Sequence, residues 1–524
     1  MKFQKSTWLV LLNLVGLGVL FAALQWNSIT MPFERDEGEY AYSAWIMKEG
    51  YVPYRDSFLQ KPPMIVYTYL ASQLIDADAV WPPRVFASLF TLLTALTVGL
   101  AAKHLYGNRT AWLSVWMFLP LSMLPIFLPY AANTERFLLL PLCVLFYLYV
   151  CFGAQARSWV WMTAGIVAAI AILFKQVALV PAAIVFVLWG LEAWRQQRSA
   201  MLLARNVGVA VLSGVVVLVV ALAFFIYRGA LHDLIVCTVT YNYYYSQVGG
   251  DKLQFFLAMM GFLAEEWWPL IPLVGWYVYK RPPRWKVITI LFVAMLVIAS
   301  QDLNGHYYML LVPFLAIIGS AGMDSLLGWL GARFEDKVMR ERIAIMFSCV
   351  VILVLILPLR GIFPLRPDEL SELVYSGNPF VESSIVAQRV RQLLPETERL
   401  FVAGSEPQIL FESKRLSLTR FVIMYPLTMP TPFMEKYQEE VKAAIEKDPP
   451  SVVVVCIPKM TWFYQTSDHP EIVDYIERTF ASKGYLLVGG YVRDRSGSHW
   501  EEPLAKNRIP LCRLLILKRG QSTS

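Results

Sequence analysis

Charged residues are scarce in this chain. Asp, Glu, Lys and Arg make up 16% of its 524 residues, whereas hydrophobic residues make up 57%. Soluble globular domains carry charge at about 25% of positions, so this composition excludes an ordinary soluble protein. Lipid is the expected solvent for most of the chain, and the sequence therefore predicts an α-helical polytopic membrane protein.

The sequence also lacks the patterns that hold metals or nucleotides. Its six cysteines are scattered, without a C-x-x-C motif or a histidine pair, and we interpret them as core residues. It contains no glycine-rich phosphate loop of the Walker or dinucleotide type and no convincing internal repeat. The net charge is +7, but the basic residues form short clusters between apolar runs, so we expect no nucleic-acid partner.

Long apolar runs are abundant. A helix of about 17 to 25 residues crosses a bilayer, and about eleven runs approach this length. They fall near residues 7–26, 84–104, 110–129, 136–152, 159–174, 177–194, 207–227, 258–279, 286–300, 308–327 and 342–358. The first run follows two lysines and lacks a small-residue cleavage site, which predicts a retained span rather than a removed signal peptide.

Basic residues alternate between the loops. Clusters such as Lys103 with Arg109 and Lys280 with Arg284 follow every second span, and the loops between them are poorer in basic residues and richer in acidic ones such as Glu37. Because positively charged loops stay in the cytoplasm, this alternation predicts a multi-pass protein of a bacterial inner (plasma) membrane. Its N-terminus is expected in the cytoplasm and its tail outside.

The tail, about residues 360–524, is richer in charge. Short β-rich runs at 400–403, 452–456 and 513–517 alternate with amphipathic stretches near 380–394, 433–447 and 470–483, which is typical of a small α/β domain. We therefore predict a transmembrane domain over residues 1–359, with a long first outer loop at 27–83, and an extracytoplasmic α/β domain over residues 360–524.

The first outer loop contains the most informative charges. Asp36 and Glu37 closely follow the first span, and a carboxylate near the membrane surface suits general-base catalysis. The alternative is structural, because acidic residues also begin interfacial helices, where the helix dipole favours them. Spacing alone does not separate these two interpretations.

Three motifs of this loop occur in a characteristic order and spacing. They are Asp36-Glu37-Gly38-Glu39-Tyr40, Tyr54-Arg55-Asp56 and Gln60-Lys61-Pro62-Pro63. The set resembles the first-loop signature of bacterial C-type glycosyltransferases, the relatives of protein O-mannosyltransferases and of the aminoarabinose transferase that modifies lipid A. Glu39 stands where the aminoarabinose transferases usually have arginine, so their donor and acceptor specificity does not carry over.

Shorter matches to the same family follow along the chain. They are Pro83-Arg84, Ala131-Ala132-Asn133-Thr134-Glu135, Phe174-Lys175-Gln176, His306-Tyr307-Tyr308 with Pro313, Val402-Ala403-Gly404-Ser405-Glu406-Pro407 and Thr419-Arg420-Phe421. The threonine and glycine that flank the family's lysine are replaced around Lys175. The likeness thus covers most of the chain but is most specific in the first loop.

The resemblance implies a C-type glycosyltransferase fold and an inverting enzyme. Such an enzyme moves a sugar from a polyprenyl-phosphate donor to a hydroxyl of a glycan, lipid or protein acceptor at the outer face of the bilayer. A carboxylate takes the acceptor proton, and cations stabilise the leaving phosphate. The implied catalytic residues are Asp36, as general base, Glu37 and Glu135. The implied donor-phosphate ligands are Tyr40, Lys61, Arg84, Lys175, His306 and Tyr307.

Each assignment has a structural alternative. The alternative for Lys61 and Lys175 is that their side chains extend along apolar surface to the membrane interface. The alternative for Arg84 is that it anchors a helix end. The alternative for Glu135 is a loop ion pair with Arg136. No cofactor is certain; Asp36 and Glu135 together could hold a divalent cation through oxygen ligands.

Two other functional classes share these features. A transporter or flippase of lipid-linked substrates also places charges in spans, but the repeated halves typical of transporters are not seen in the sequence. A membrane-anchored binding protein leaves the first-loop motifs without a role. The Tyr241–Tyr245 cluster favours an interfacial aromatic belt over a sugar-stacking surface.

Overall fold

The computed structural model describes residues 2–248, 250–301, 303–462, 471–494 and 497–520. Contacts divide the chain into two compact units, each built from segments that are distant in the sequence. The first unit comprises Met1–Ile29, Arg84–Ala221 and Gly249–Leu365, and the second comprises Thr30–Pro83, Leu222–Val248 and Arg366–Ser524. The expected domain division at residues 359 and 360 rests on membrane topology and stays a prediction.

The first unit is rich in long apolar helices, some of which begin or end in the second unit. They are Lys2–Gln25, Trp81–Tyr106, Asn108–Leu121, Thr134–Phe152, Ser158–Phe174, Leu179–Gln197, Ala200–Tyr227, Lys252–Glu266, Leu270–Lys280, Trp285–Ala299, Val312–Gly331 and Lys337–Ile356. Helices suit lipid because they satisfy their backbone hydrogen bonds internally. Side chains such as Leu212 and Val220 are 66% and 70% exposed, as expected for a lipid-facing surface.

Seven helical segments in the described residues are long and apolar enough to cross a membrane. They are Val10–Ser28, Trp81–Tyr106, Thr134–Gln155, Gln176–Gln197, Ala200–Tyr227, Gly305–Gly331 and Lys337–Leu359. A pair bent by 97°, Lys252–Glu266 with Leu270–Lys280, makes eight if it is counted as one span. Ser158–Phe174 and Trp285–Ala299 are shorter apolar helices. The chain is thus a membrane protein with several apolar helices, and the total of about eleven spans stays a prediction.

The run at 110–129 is not one continuous helix. The helix Asn108–Leu121 ends before a 3₁₀ turn at Pro125–Phe127. Leu124 has an extended backbone, as steric clash with a following proline favours. The helix therefore stops short of the length that the apolar run suggested.

Two helices of the first unit approach each other closely at Gly165. A Cβ atom at this position would lie 2.0 Å from the carbonyl oxygen of Ala210 on Ala200–Tyr227. Lipid tails are as apolar as leucine, so helices in a membrane associate through close packing of small residues rather than through the hydrophobic effect. Glycine is therefore required at this contact.

The second unit contains a five-stranded sheet. Its strands are β1 (Phe401–Ala403), β2 (Val452–Cys456), β3 (Tyr485–Asp494), β4 (Gly497–Glu501) and β5 (Cys512–Arg519). They lie in the order β1-β2-β5-β3-β4. β1 is parallel to β2, with Val402 opposite Val454, and the other neighbouring pairs are antiparallel. The valines of β2 are mostly buried, as expected for a strand covered on both faces.

Helices from three parts of the chain complete the second unit. They are Arg35–Lys48 and Met64–Gln73 from the first outer loop, Leu231–Ile235 and Tyr241–Tyr245 from residues 222–248, and Pro367–Val374, Phe380–Leu393, Pro407–Ser413, Tyr425–Thr428, Met434–Lys447 and Glu471–Ser482 from the tail. The tail strands and helices expected from the sequence are thus observed within a few residues; residue 470 lies outside the described residues. β3 and β4 were not expected, because Gly489 and two register shifts interrupt the alternation of β3.

The Tyr241–Tyr245 cluster differs from the expected aromatic belt. Tyr241 is fully buried, and its ring centroid lies 5.0 Å from that of Phe58 and 6.4 Å from that of Tyr437. Tyr243 is 64% exposed. The belt interpretation is therefore wrong for Tyr241, whose side chain packs in the aromatic core of the second unit.

Candidate active site

The acidic motif of the first outer loop begins a helix, Arg35–Lys48, which we call the first-loop helix. Glu34 precedes it as the N-cap, and its carboxylate accepts hydrogen bonds from the backbone N–H groups of Asp36, at 3.0 Å, and Glu37, at 3.1 Å. Glu37 in turn accepts a hydrogen bond from the backbone N–H of Glu34 at 3.2 Å. This reciprocal capping box satisfies amide groups that the first turn of a helix leaves unpaired.

The capping box separates the two adjacent carboxylates that the sequence grouped together. Glu37 is fully buried and caps the helix, whereas Asp36 is half-buried. Burial, followed by the charges of Asp36 and Glu37, raises the pKa of the Glu34 carboxyl well above its usual range. Of these three carboxyl groups, Asp36 is the one whose side chain does not form the cap.

Lys61 lies in a segment that is held at its backbone. The Tyr54 hydroxyl donates to the carbonyl oxygen of Lys61 at 2.8 Å, and the Asn242 amide donates to that of Gln60 at 2.9 Å. Lys61 is half-buried, and its charge opposes the burial that raises the pKa of Glu39. The Tyr54 and Gln60 motifs therefore support one another in three dimensions.

Tyr40 and Glu39 lie one turn beyond Asp36 on the first-loop helix. Tyr40 is fully buried, and its ring meets that of Tyr69 edge-on at 5.5 Å between centroids. Glu39 is 2% exposed. The second unit thus contains four of the predicted site residues, namely Asp36, Glu37, Tyr40 and Lys61.

A tail segment holds the start of the first-loop helix. Arg35 donates to the carbonyl oxygen of Ser405 at 2.6 Å and pairs with Glu406 at 2.9 Å. A Cβ atom at Gly38 would lie 2.4 Å from the backbone nitrogen of Gln408, so only glycine allows this approach. Sequence reasoning did not assign Arg35 or Glu406, although the tail motif at 402–407 marked the segment.

The first unit brings together another group of predicted residues. The carboxylate of Glu135 pairs with the ammonium group of Lys175, and Nε2 of His306 lies 3.6 Å from the same carboxylate. Nζ of Lys175 lies 3.6 Å from the ring centroid of Tyr307. Lys175 reaches this position from an extended residue between the helix Ser158–Phe174 and a 3₁₀ turn. These four residues therefore form one polar cluster, in which Glu135 and Lys175 are buried and His306 and Tyr307 are half-buried.

Two buried arginines lie elsewhere in the first unit. Arg84 is fully buried and donates to the carbonyl oxygen of Ser28 at 3.0 Å. Arg136 donates to Gln25 at 3.0 Å and to Thr91 at 3.1 Å. The alternative of a loop ion pair placed Glu135 and Arg136 in a loop, whereas both lie buried in the helix Thr134–Phe152. The Gln25–Arg136 network was not anticipated, since Gln25 lies 111 residues away in the chain.

The described residues contain no group of three or more His, Cys, Asp or Glu side chains that could hold a metal ion. A divalent cation held by Asp36 and Glu135 therefore stays an untested prediction.

One family model matches the chain. Residues 60–230 match the model described as dolichyl-phosphate-mannose-protein mannosyltransferase. No curated protein sequence matches at a significant level.

Solved structures are similar over nearly the whole chain. ArnT from Cupriavidus metallidurans bound to undecaprenyl phosphate superimposes with a TM-score of 0.64 and 15% identity, covering 99% of each chain. The Archaeoglobus fulgidus oligosaccharyltransferase tethered to an acceptor peptide gives a TM-score of 0.56 and 12% identity, covering 96% of this chain and 75% of that one. The predicted resemblance is confirmed, and the chain has the fold of the C-type glycosyltransferases.

Proposed function

We propose that this protein is a membrane glycosyltransferase that moves a sugar from a polyprenyl-phosphate donor to an acceptor hydroxyl. The observation that carries the proposal is the similarity of fold to ArnT bound to undecaprenyl phosphate, which covers 99% of both chains. The family model over residues 60–230 supports the same class of donor. The site is proposed to face outward from a bacterial inner membrane, with the cytoplasmic N-terminus and extracytoplasmic tail that the basic loops predict.

Asp36 is the proposed general base. The acceptor hydroxyl gives its proton to Asp36, its oxygen bonds to the anomeric carbon of the sugar, and the bond from that carbon to the lipid phosphate breaks with inversion. The capping box supports this role, because Glu34 and Glu37 cap the start of the helix while Asp36 remains half-buried. Glu37 is proposed to position Asp36 through the cap.

The donor phosphate gains negative charge as it leaves. Lys61 is the proposed cation beside the first-loop helix, with Tyr40 as a nearby hydroxyl donor. For four residues of the first unit, a role as phosphate ligands stays a prediction: Lys175, His306, Tyr307 and Arg84. Glu135 is proposed to orient Lys175, with which it pairs.

The test is transfer of labelled sugar from polyprenyl phosphate by the purified full chain in liposomes. Loss of a general base typically costs about a hundredfold to ten-thousandfold in rate, so we expect Asp36→Asn to lose transfer by this factor and to retain donor binding. Asp474→Asn, on the tail helix Glu471–Ser482, is the matched control and should be fully active.

Two outcomes oppose the proposal. Full transfer by a well-folded Asp36→Asn protein would exclude Asp36 as the base. Movement of the lipid across the bilayer without any sugar–acceptor product, in every variant, would identify a flippase instead.

A further inference from the structure

A cleft in the second unit carries two sequence motifs that the proposed reaction does not use. Arg55 and Asp56 of the first outer loop line it together with Thr419 and Arg420 of the tail. Its volume is about 230 Å³, well above the roughly 10–15 Å³ that a single water molecule requires. The cleft is thus large enough for a small polar molecule such as a single sugar.

Two arginine–carboxylate pairs lie along this cleft. Arg55 pairs with Asp56 at 3.2 Å, and Arg420 contacts both carboxylate oxygens of Glu440 at 2.8 and 2.9 Å. Guanidinium and carboxylate groups are planar, so each pair presents hydrogen-bond donors and acceptors side by side, and the two charges of the pair cancel. They suit a ligand with many hydroxyl groups.

Arg399 adds a positive charge that is not cancelled. Its guanidinium donates to the carbonyl oxygen of Ser417 at 2.9 Å, and no carboxylate lies within ion-pair distance of it among the described residues. The cleft therefore carries a net positive charge and retains guanidinium donors for an anion.

Tyr42 adds a buried donor to the same cleft. Its side chain is 2% exposed, and its hydroxyl oxygen accepts a hydrogen bond from the Ser417 backbone N–H at 2.8 Å. In the part of the chain that the structure describes, no acceptor takes the hydroxyl hydrogen. Burial raises the pKa of the Tyr42 phenol, so the group stays protonated at neutral pH. A buried donor without an acceptor is costly, which points to a ligand oxygen.

We propose that this cleft binds an acidic saccharide. Its carboxylate or phosphate group contacts Arg399 and Tyr42, and its hydroxyl groups contact the Arg55–Asp56 and Arg420–Glu440 pairs. The ligand's role as part of an acceptor glycan rests on the proposed function, whereas its binding does not.

The experiment is ligand-observed saturation-transfer NMR on the full chain in detergent micelles, with titrations of glucuronate, glucose 6-phosphate and glucose. At least one acidic sugar should bind about tenfold more tightly than glucose. Comparison of glucuronate with glucose 6-phosphate then shows whether the cleft prefers a carboxylate or a phosphate. A charge-assisted hydrogen bond accounts for about a tenfold change in affinity or more, so Arg399→Gln should weaken acidic-sugar binding by that factor. Tyr42→Phe, which removes only a hydroxyl group, should weaken it as well.

Arg478→Gln is the matched control, because Arg478 is an 83% exposed arginine on the tail helix Glu471–Ser482. The proposal is overturned if neither acidic sugar binds, if glucose binds as tightly as both, or if Arg399→Gln and Arg478→Gln have equal effects. If Tyr42→Phe fails to fold, Arg399→Gln still tests the proposal, because Arg399 is exposed. The binding experiment does not require sugar transfer, so its result can be interpreted even if the proposed enzymatic function is wrong.

Discussion

Glu39 shows how burial changes what a carboxyl group can do. It lies one turn after Asp36 on the first-loop helix and is 2% exposed. Burial raises its pKa well above the usual range, the charge of Asp36 raises it further, and Lys61 opposes both. Its Oε1 atom has no hydrogen-bond donor among the described residues. Ionisation of Glu39 is therefore unfavourable in the folded protein.

This residue predicts a pH dependence of stability. Because the folded pKa of Glu39 lies above its unfolded value of about 4.3, the folded chain holds the proton more tightly. The resulting stabilisation is complete below the unfolded pKa and is lost as the pH rises through the folded pKa. Glu39→Gln should therefore melt at a higher temperature than the native protein at pH 8, with a smaller difference at pH 5.

Thermal unfolding in detergent between pH 5 and 8 measures this effect. Glu439→Gln is the control, since that carboxylate is 72% exposed on the helix Met434–Lys447, and it should follow the native pH profile. A Glu39→Gln profile that coincides with the native one at every pH would contradict the prediction.

At the scale of elements, the first-loop helix depends on the tail for its position. Arg35 and Glu406 are 371 residues apart, yet they form an ion pair in which Arg35 is 12% exposed and Glu406 is fully buried. The Gln408 amide also donates to the Glu406 carboxylate at 2.6 Å. The pair holds the residue directly before Asp36, so the tail contributes to the geometry of the proposed base.

Breaking this pair on one side should destabilise the protein more than replacing both partners. Arg35→Gln leaves the Glu406 charge buried and uncompensated, which costs about 3–5 kcal/mol for a buried pair. The double variant Arg35→Gln with Glu406→Gln leaves two neutral amides and should recover part of that loss. Denaturant unfolding measures both. Arg366→Gln, in an exposed pair with Glu369, should change stability little. Equal losses in the single and double variants would show that the charge of Glu406 is not what matters.

At the scale of the whole molecule, this chain and ArnT share an architecture although most of their residues differ. The chain superimposes on ArnT over 99% of both chains at 15% identity. Many residue combinations satisfy the demands of lipid, namely apolar side chains outside and backbone hydrogen bonds inside helices. The similarity therefore concerns the fold, and particular side chains must decide the reaction, the sugar and the acceptor.

The membrane topology gives a prediction for the complete chain. The basic clusters in alternate loops predict that residues 360–524 lie outside the cytoplasm. A reporter that is active only in the cytoplasm should stay silent when fused after residue 524 and be active when inserted after Arg284, in an expected cytoplasmic loop. Strong activity of the C-terminal fusion would reverse the proposed orientation.

Local patterns explain what could be predicted from the sequence. Apolar runs at bilayer length indicated the membrane class, and alternating β-rich and amphipathic stretches indicated most tail elements, because both signals lie within a few consecutive residues. Family motifs singled out Glu135, Lys175 and His306 one by one, and only the structure brought them together. The β3–β4 hairpin escaped prediction because glycines and register shifts remove the alternation that marks a strand.

The sequence by itself determined that most of this protein suits a lipid environment, and which residue types are available for chemistry. The hydrophobicity and charge of a residue are properties of its side chain and do not depend on the fold. Only the tertiary structure decided which charges are engaged. It made Glu37 a helix cap, paired Arg35 with Glu406, and buried Glu39. Burial and pairing depend on contacts between residues far apart in the chain, and these contacts, rather than residue type, set whether a carboxyl group caps, pairs or takes a proton.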